Sequence, residues 1–337
     1  MGMFDKLIAN LKSSKKTIVF TEGSDPRILS AADRLIKENL MGVILCGNID
    51  EVNAAAKNGG FNIDGAEILD PATYPEMDAL VAQMVELRKG KMTEEECRAA
   101  LAKSNYFGTM LVKAGKADAL LGGATYSTAD TVRPALQIIK TAPGRKVASI
   151  AFVFEIPDCE YGENGIILCA DCALMQDPNP EELAEIGAES AASFEALIGK
   201  RPNVAFLCHS TKGSANHPFV DKVVEAVRIA KEKYPDVNLD GELQLDAAIV
   251  PEIGASKAPG SPVAGKANVL IFPNLEAGNI GYKLIQRIGK AEAYSFLQGL
   301  AAPVNDLSRG CSVDELAGVI CITAVQAQQI AAANAKD

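Results

Sequence analysis

Histidine is nearly absent from this chain: its 337 residues include two, His209 and His217. Structural zinc centres and histidine-activated nucleophiles draw on that side chain, so a metal site and a cysteine–histidine couple are both poorly supported. Cys169-Ala170-Asp171-Cys172 has redox-motif spacing, but it ends an apolar run and has no second pair, which fits buried strand thiols. The eight cysteines (46, 97, 159, 169, 172, 208, 311 and 321) are scattered and not spaced as a disulfide framework. Reduced, mostly buried thiols are expected. A G-x-G-x-x-G dinucleotide fingerprint is also missing. Gly260-Ser261-Pro262-Val263-Ala264-Gly265-Lys266 matches the spacing of a nucleotide phosphate loop, yet Ala267 stands where a magnesium-binding hydroxyl belongs. A strand pattern, 269–272, follows where a helix should. Met1-Gly2-Met3-Phe4-Asp5-Lys6 has neither the basic lead nor the apolar core of a signal peptide, and no later run approaches membrane-spanning length. A cytoplasmic location with no membrane partner is expected. Acidic residues outnumber basic ones 43 to 33, a net charge of -10, which argues against a nucleic-acid partner. Any anionic substrate must then be met by local arginines. Internal repeats and low-complexity segments are lacking too.

What is present is aliphatic: 48% of the residues are hydrophobic, enough to fill two cores, and the length favours about two domains. Short β-branched runs at 17–20, 43–47, 119–123, 147–154, 165–170, 204–208 and 269–272 read as buried strands. Between them lie amphipathic helical patterns such as 26–38, 76–88, 128–139, 180–197 and 218–233. This alternation predicts an α/β fold, two three-layer α/β domains with largely parallel sheets. The loop Thr141-Ala142-Pro143-Gly144-Arg145 marks one boundary, and a second crossing falls between 293 and 303. The expected division is 1–143 plus 300–337 as a discontinuous first domain, and 144–299 as the second.

Two segments carry chemistry. Pro303-Val304-Asn305-Asp306-Leu307-Ser308-Arg309-Gly310-Cys311 sets a hydroxyl, a permanent cation and a flexible glycine just before a helix, a place suited to an anion. Asp314 and Glu315 follow at the start of that helix. Anion binders beside a candidate base suggest acyl or phosphoryl transfer. The second segment, 118–134, runs from a buried strand through Gly122 and Gly123 into a helix, placing the hydroxyls of Ser127 and Thr128 at a strand's carboxyl end, where open α/β sheets bind ligands.

Together with 210–215, 240–248 and 268–282, these two blocks resemble the phosphate acetyltransferase family over nearly the full length. The resemblance implies reversible acetyl transfer between acetyl phosphate and coenzyme A, giving acetyl-CoA and phosphate. It implies two α/β domains similar to those of isocitrate and isopropylmalate dehydrogenases, an active site in the cleft between them, and a homodimer. Coenzyme A enters as co-substrate; no tightly bound cofactor and no metal are expected.

Physical grounds suit the residues to that reaction. A free thiol with a pKa of about 8.5 is only slightly ionised at neutral pH, so a base that removes its proton raises the reactive fraction. Arg309 offers planar, always-charged donors for phosphate and developing charge, and Ser308 can donate to the carbonyl or bridging oxygen. Arg88 and Arg133 match family positions that bear on phosphate or coenzyme A. Ser127, Thr128 and Asn305 are candidates for lining the substrate cleft, and Tyr282 and Lys283, in a glycine-rich turn, for approaching coenzyme A. Cys159 and Cys311 lack a neighbouring histidine to activate them.

The base is where the chain departs from the family, which usually has aspartate seven residues after the motif serine; here that position is Glu315, with Asp314 before it. Glu315 is the first choice and Asp314 the reserve. Ser312-Val313-Asp314-Glu315 is equally a capping box, so on sequence the cap and the base stand level. The rival activities are phosphate butyryltransferase, with a longer acyl chain, and a non-catalytic acyl-CoA-binding regulatory module.

Overall fold

The computed structural model describes residues 8, 11 and 15–334. The hexapeptide 1–6, read above for a leader, lies outside them. The described residues form eleven strands: β1 Thr17–Phe20, β2 Gly42–Cys46, β3 Glu67–Leu69, β4 Ala119–Gly122, β5 Ser149–Glu155, β6 Ile166–Ala170, β7 Val204–Leu207, β8 Leu239–Leu243, β9 Val269–Ile271, β10 Glu292–Gln298 and β11 Val304–Asp306. Thirteen α-helices accompany them, and the chain divides into two compact units, Met1–Pro143 with Leu300–Asp337, and Gly144–Gly299.

The first unit holds a five-stranded sheet in the order β11-β4-β1-β2-β3, every pair parallel. All four residues of β4 are buried, and so are Ile18, Val19 and Phe20 of β1. Successive side chains on a strand point to opposite faces, so unbroken burial requires both faces to be covered. That is the expected three-layer arrangement. Phe20 and Phe107 are its largest fully buried side chains.

The second unit holds a six-stranded sheet, β10-β5-β6-β9-β7-β8. Its β6-β9-β7-β8 part is parallel, while β5 and β10 run antiparallel along one side. Phe154, Phe194, Phe206 and Phe296 fill its interior. Gln298, at the end of β10, donates to Ser149 Oγ at 2.9 Å and Ser190 Oγ at 2.8 Å and accepts from Ser193 Oγ at 3.0 Å, which anchors the outermost strand.

The seven strands expected from sequence are all present, with ends shifted by a residue or two. Four others carry weaker signals. β8 reads Leu-Asp-Gly-Glu-Leu, and its buried acids are tolerated because each finds donors. Asp240 takes Lys212 Nζ at 2.7 Å, Lys231 Nζ at 2.9 Å and Ser261 Oγ at 2.5 Å, and Glu242 takes Gly213 N at 2.7 Å and Ser210 Oγ at 3.0 Å. The helix predicted over 128–139 is α-helical over Thr128–Pro134 and a π-turn over Ala135–Ile139. Pro134, which has no amide to continue the ladder, sits at the change.

The last helix, Val313–Asn334, corrects the reading that no run approaches membrane-spanning length. By length and composition it is long and apolar enough to cross a bilayer. It is instead a core element, 56% of its apolar window being buried, and it packs on the Pro26–Lys37 helix, β4 and β11.

Candidate active site

The strand order of the first unit creates the site. The chain runs outward from β1 to β2 and β3, then returns to place β4 on the other side of β1. Loops leaving β1 and β4 at their carboxyl ends diverge at this switch point, and ligands of open α/β sheets bind in such crevices. β11 beside β4 adds a third loop, the Ser308-Arg309-Gly310 motif.

Local hydrogen bonds shape the three loops. Leu307 N donates to Gly122 O at 2.7 Å and Cys311 N to Ser308 O at 2.9 Å, so the motif leaves β11 as a tight turn. Ser308 and Arg309 are exposed. Ser308 Oγ accepts Gly310 N at 3.3 Å. Ser312 N donates to Glu315 Oε2 at 2.8 Å, and Glu315 N to Ser312 Oγ at 3.1 Å, the capping box foreseen from sequence. The capping box therefore engages the amides of Ser312 and Glu315. Asp314 is exposed beside them.

On the β4 side, Thr128 Oγ1 and Thr131 Oγ1 each donate to Asp306 at 2.6 Å. Asp306 is 8% exposed, and burial pushes its carboxyl above the ordinary carboxylate range despite the two hydroxyls. Ser127 begins the same helix with its Oγ on Asp130 Oδ2 at 2.6 Å. Gly123 has φ +100°, and a Cβ there would stand 2.3 Å from Asp306 Oδ1, so only glycine lets this turn approach β11. Glu22, after β1, accepts Gly123 N at 3.2 Å and Thr125 N at 2.9 Å. Its burial likewise raises its carboxyl.

Arg88 and Arg133 flank Tyr106, whose phenol both guanidinium groups bias toward ionisation against the stronger effect of burial. Arg88 Nη1 donates to Gln137 O at 3.2 Å, while its Nε is buried with no hydrogen-bond partner among the described residues. Arg133 is exposed. Asn305 differs from expectation: it is wholly buried, with Nδ2 on Thr323 Oγ1 at 2.7 Å and Gln326 Oε1 at 2.8 Å, so it ties β11 to the last helix and does not line a surface.

Tyr282 and Lys283 belong to the second unit, and their surroundings differ from those expected. They lie within the helix Leu275–Arg287, not on a turn. Gly278 serves close packing there, since a Cβ on it would stand 2.2 Å from Asp171 O. Tyr282 stacks on Phe152 with ring centroids 4.5 Å apart, and Lys283 bonds Asn279 one turn away. Cys169 and Cys172 are fully buried, and burial raises both thiols, Cys169 to about 12, which makes them inert at neutral pH. Groups of three or more metal-ligating side chains are absent among the described residues.

Sequence reasoning missed Glu22, Asp25, Arg27 and Asp306. Asp306 stood inside the quoted motif. The other three lie in Thr21-Glu22-Gly23-Ser24-Asp25-Pro26-Arg27, which carries the signature of a helix start and no more.

A parallel α/β unit presenting hydroxyls, a carboxylate and a cation at its switch point is the framework of a group-transfer enzyme. The chain belongs to the phosphate acetyl/butaryl transferase family, whose model matches residues 3–324, and is by that membership an acyltransferase. It is 53% identical over 330 residues to the phosphate acetyltransferase of Thermoanaerobacterium thermosaccharolyticum, covering 97% of this chain and all of that one. It is 50% identical over 311 residues to that of Bacillus subtilis, covering 92% and 94%. A crystal structure of a phosphotransacetylase from Streptococcus pyogenes superposes with a TM-score of 0.93 at 46% identity, covering 97% of this chain and 98% of the other.

Proposed function

We propose that this chain is a phosphate acetyltransferase that moves an acetyl group reversibly between acetyl phosphate and coenzyme A. The observation that carries this reading is the exposed pair Ser308 and Arg309 on a tight turn at the switch point, just ahead of the helix start that holds Glu315. The thiolate of coenzyme A attacks the acetyl carbonyl carbon, the new C–S bond forms, and the C–O bond to phosphate breaks. The thiol proton passes to Glu315, with Asp314 as the alternative acceptor. Arg309 stabilises the phosphate and the charge on the carbonyl oxygen, and Ser308 donates to the carbonyl or bridging oxygen. Transfer is direct, within a ternary complex.

In this reading Arg88 and Arg133 bind anionic parts of the substrates, and Ser127 and Thr128 border them. Tyr282 and Lys283 serve coenzyme A from the second unit. Coenzyme A is a co-substrate, with no tightly bound cofactor. The two compact units are the enzyme's domains, 1–143 plus 300–337 and 144–299. The enzyme works in the cytoplasm as a homodimer, for which Ile280, Leu284 and Ile288, exposed along one helix edge, offer apolar surface.

Rates of acyl-CoA formation with acetyl phosphate and butyryl phosphate, and of arsenate-dependent acetyl-CoA breakdown, test the proposal. Faster turnover of acetyl phosphate supports it. Dominant butyryl transfer would make the enzyme a butyryltransferase, and no turnover with either would leave a non-catalytic acyl-CoA-binding module.

A further inference from the structure

Arg27 opens the helix Pro26–Lys37, yet its side chain turns back to the carboxyl edge of the sheet. A guanidinium has five N–H donors in a fixed plane. Here all five have an acceptor. Nε meets Asp25 Oδ1 at 3.0 Å, and Nη2 meets Asp25 Oδ2 at 2.8 Å and Ala124 O at 2.8 Å. Nη1 meets Arg309 O at 2.9 Å and Cys311 O at 3.5 Å. Asp25 is fixed in turn, because its Oδ1 also caps the helix through Arg27 N at 2.9 Å. One side chain thus ties together the loops after β1, β4 and β11.

We propose that Arg27, oriented by Asp25, is a positioning residue for the 308–311 loop, holding the backbone of Arg309 so that the side chains of Ser308 and Arg309 stand ready for the phosphate ester. This rests on the function proposed above. A brace from outside the turn matters because little packs on its tip: a Cβ on Gly310 would meet nothing within 4 Å, and Ser308 and Arg309 are exposed. Gripping a main-chain carbonyl leaves the Arg309 guanidinium available to substrate. Lysine cannot substitute, since a single ammonium cannot span acceptors on three loops.

The test compares Arg27→Lys, Asp25→Asn and the unaltered enzyme in steady-state kinetics, thermal unfolding and amide hydrogen exchange of the 308–312 segment. Arg27→Lys is expected to lower kcat by about 10- to 100-fold, the scale of a misplacement near 1 Å, with KM for coenzyme A and acetyl phosphate little changed. Exchange at 308–312 should quicken while the melting temperature holds within a few degrees. Asp25→Asn keeps a capping oxygen and the carbonyl contacts, so it should show a smaller loss in the same direction. Unchanged exchange, or unchanged kcat with a raised KM for coenzyme A, would overturn the proposal; the second outcome would make Arg27 a ligand-binding group. If the unaltered enzyme transfers no acetyl group, the functional reading fails, while the exchange comparison still decides whether Arg27 braces the loop.

Discussion

Replacing Glu315 with glutamine separates the two roles of this side chain. The cap is geometric: Glu315 Oε2 accepts Ser312 N at 2.8 Å, and a glutamine oxygen can accept the same bond, since a capping box takes either residue. The reciprocal bond from the backbone of residue 315 to Ser312 Oγ, 3.1 Å, does not involve the side chain at all. Glu315→Gln should therefore fold and melt like the parent. What it loses is the ability to take a proton. General-base catalysis by a positioned carboxylate contributes about 10²- to 10⁴-fold, so kcat should fall by at least ~100-fold, which corresponds to roughly 2.7 kcal/mol of barrier. Glu315→Ala removes cap and base together. It should match the glutamine variant in kcat and in addition lose about 1 kcal/mol of stability, the net worth of the missing hydrogen bond. Steady-state kinetics with acetyl phosphate and coenzyme A, beside thermal unfolding, reads both. A glutamine variant within about twofold of the parent in kcat would refute the assignment, since no step worth 2.7 kcal/mol could have been removed. If Asp314→Asn then carried the loss, the base would be its exposed neighbour; if neither did, no carboxylate at this helix start would be the base.

Gly123→Ala should cost at least ~2 kcal/mol, because the residue must hold φ +100° with its new methyl 2.3 Å from Asp306 Oδ1; differential scanning calorimetry checks it. For Asp240, burial alone would raise the carboxyl, but hydrogen bonds from Lys212, Ser261 and Lys231 outweigh it and hold the group at about 2. A depressed carboxyl adds stability that is complete above the unfolded value near 3.9 and is lost as pH falls through 2, so Asp240→Asn should remove on the order of 2 kcal/mol at pH 7 and flatten the acid limb between about pH 4 and 2. Denaturant titrations at several pH values measure this. Thiol labelling under native conditions should start with the half-exposed Cys159 and Cys208, while Cys46, Cys97, Cys169 and Cys172 stay protected until the protein unfolds; native labelling of Cys169 would contradict its burial.

The sequence announced the strands whose chemistry is uniform. Val204-Ala205-Phe206-Leu207 and Ala119-Leu120-Leu121-Gly122 are buried on both faces, so their apolar runs speak directly. It hid β8, because a strand with two acids and a glycine reads as a loop until Lys231 from the preceding helix and Lys212 and Ser210 from further back in the chain are brought in to satisfy those charges. β11 was hidden by brevity: three residues pair with β4, and nothing local distinguishes Val304-Asn305-Asp306 from the loop that follows. Asn305 lies in that same short strand. A polar residue in a functional motif looks like a ligand contact, but here it pairs with Thr323 and Gln326 inside the core.

The proposed site is legible where a side chain is the group proposed to act, as at Ser308, Arg309 and Glu315, and illegible where one side chain holds another chain segment's backbone. Arg27 meets Ala124, Arg309 and Cys311 only through their carbonyl oxygens, and a carbonyl oxygen is common to every residue type. Substitutions at residues 124 and 309 that leave the backbone in place leave the grip unchanged, so no pattern of residue types can announce it. Glu22 works the same way on the amides of Gly123 and Thr125. The two residues lie on one six-residue segment after β1, one supplying an acceptor to the β4 loop and the other donors to the β4 and β11 loops, and the strand order sets that segment beside the β4 loop, with the β11 loop next beyond it. A helix-start signature is thus also a place from which a parallel sheet can brace the loops at its carboxyl edge, because the cap on Asp25 fixes the backbone from which the Arg27 side chain reaches across.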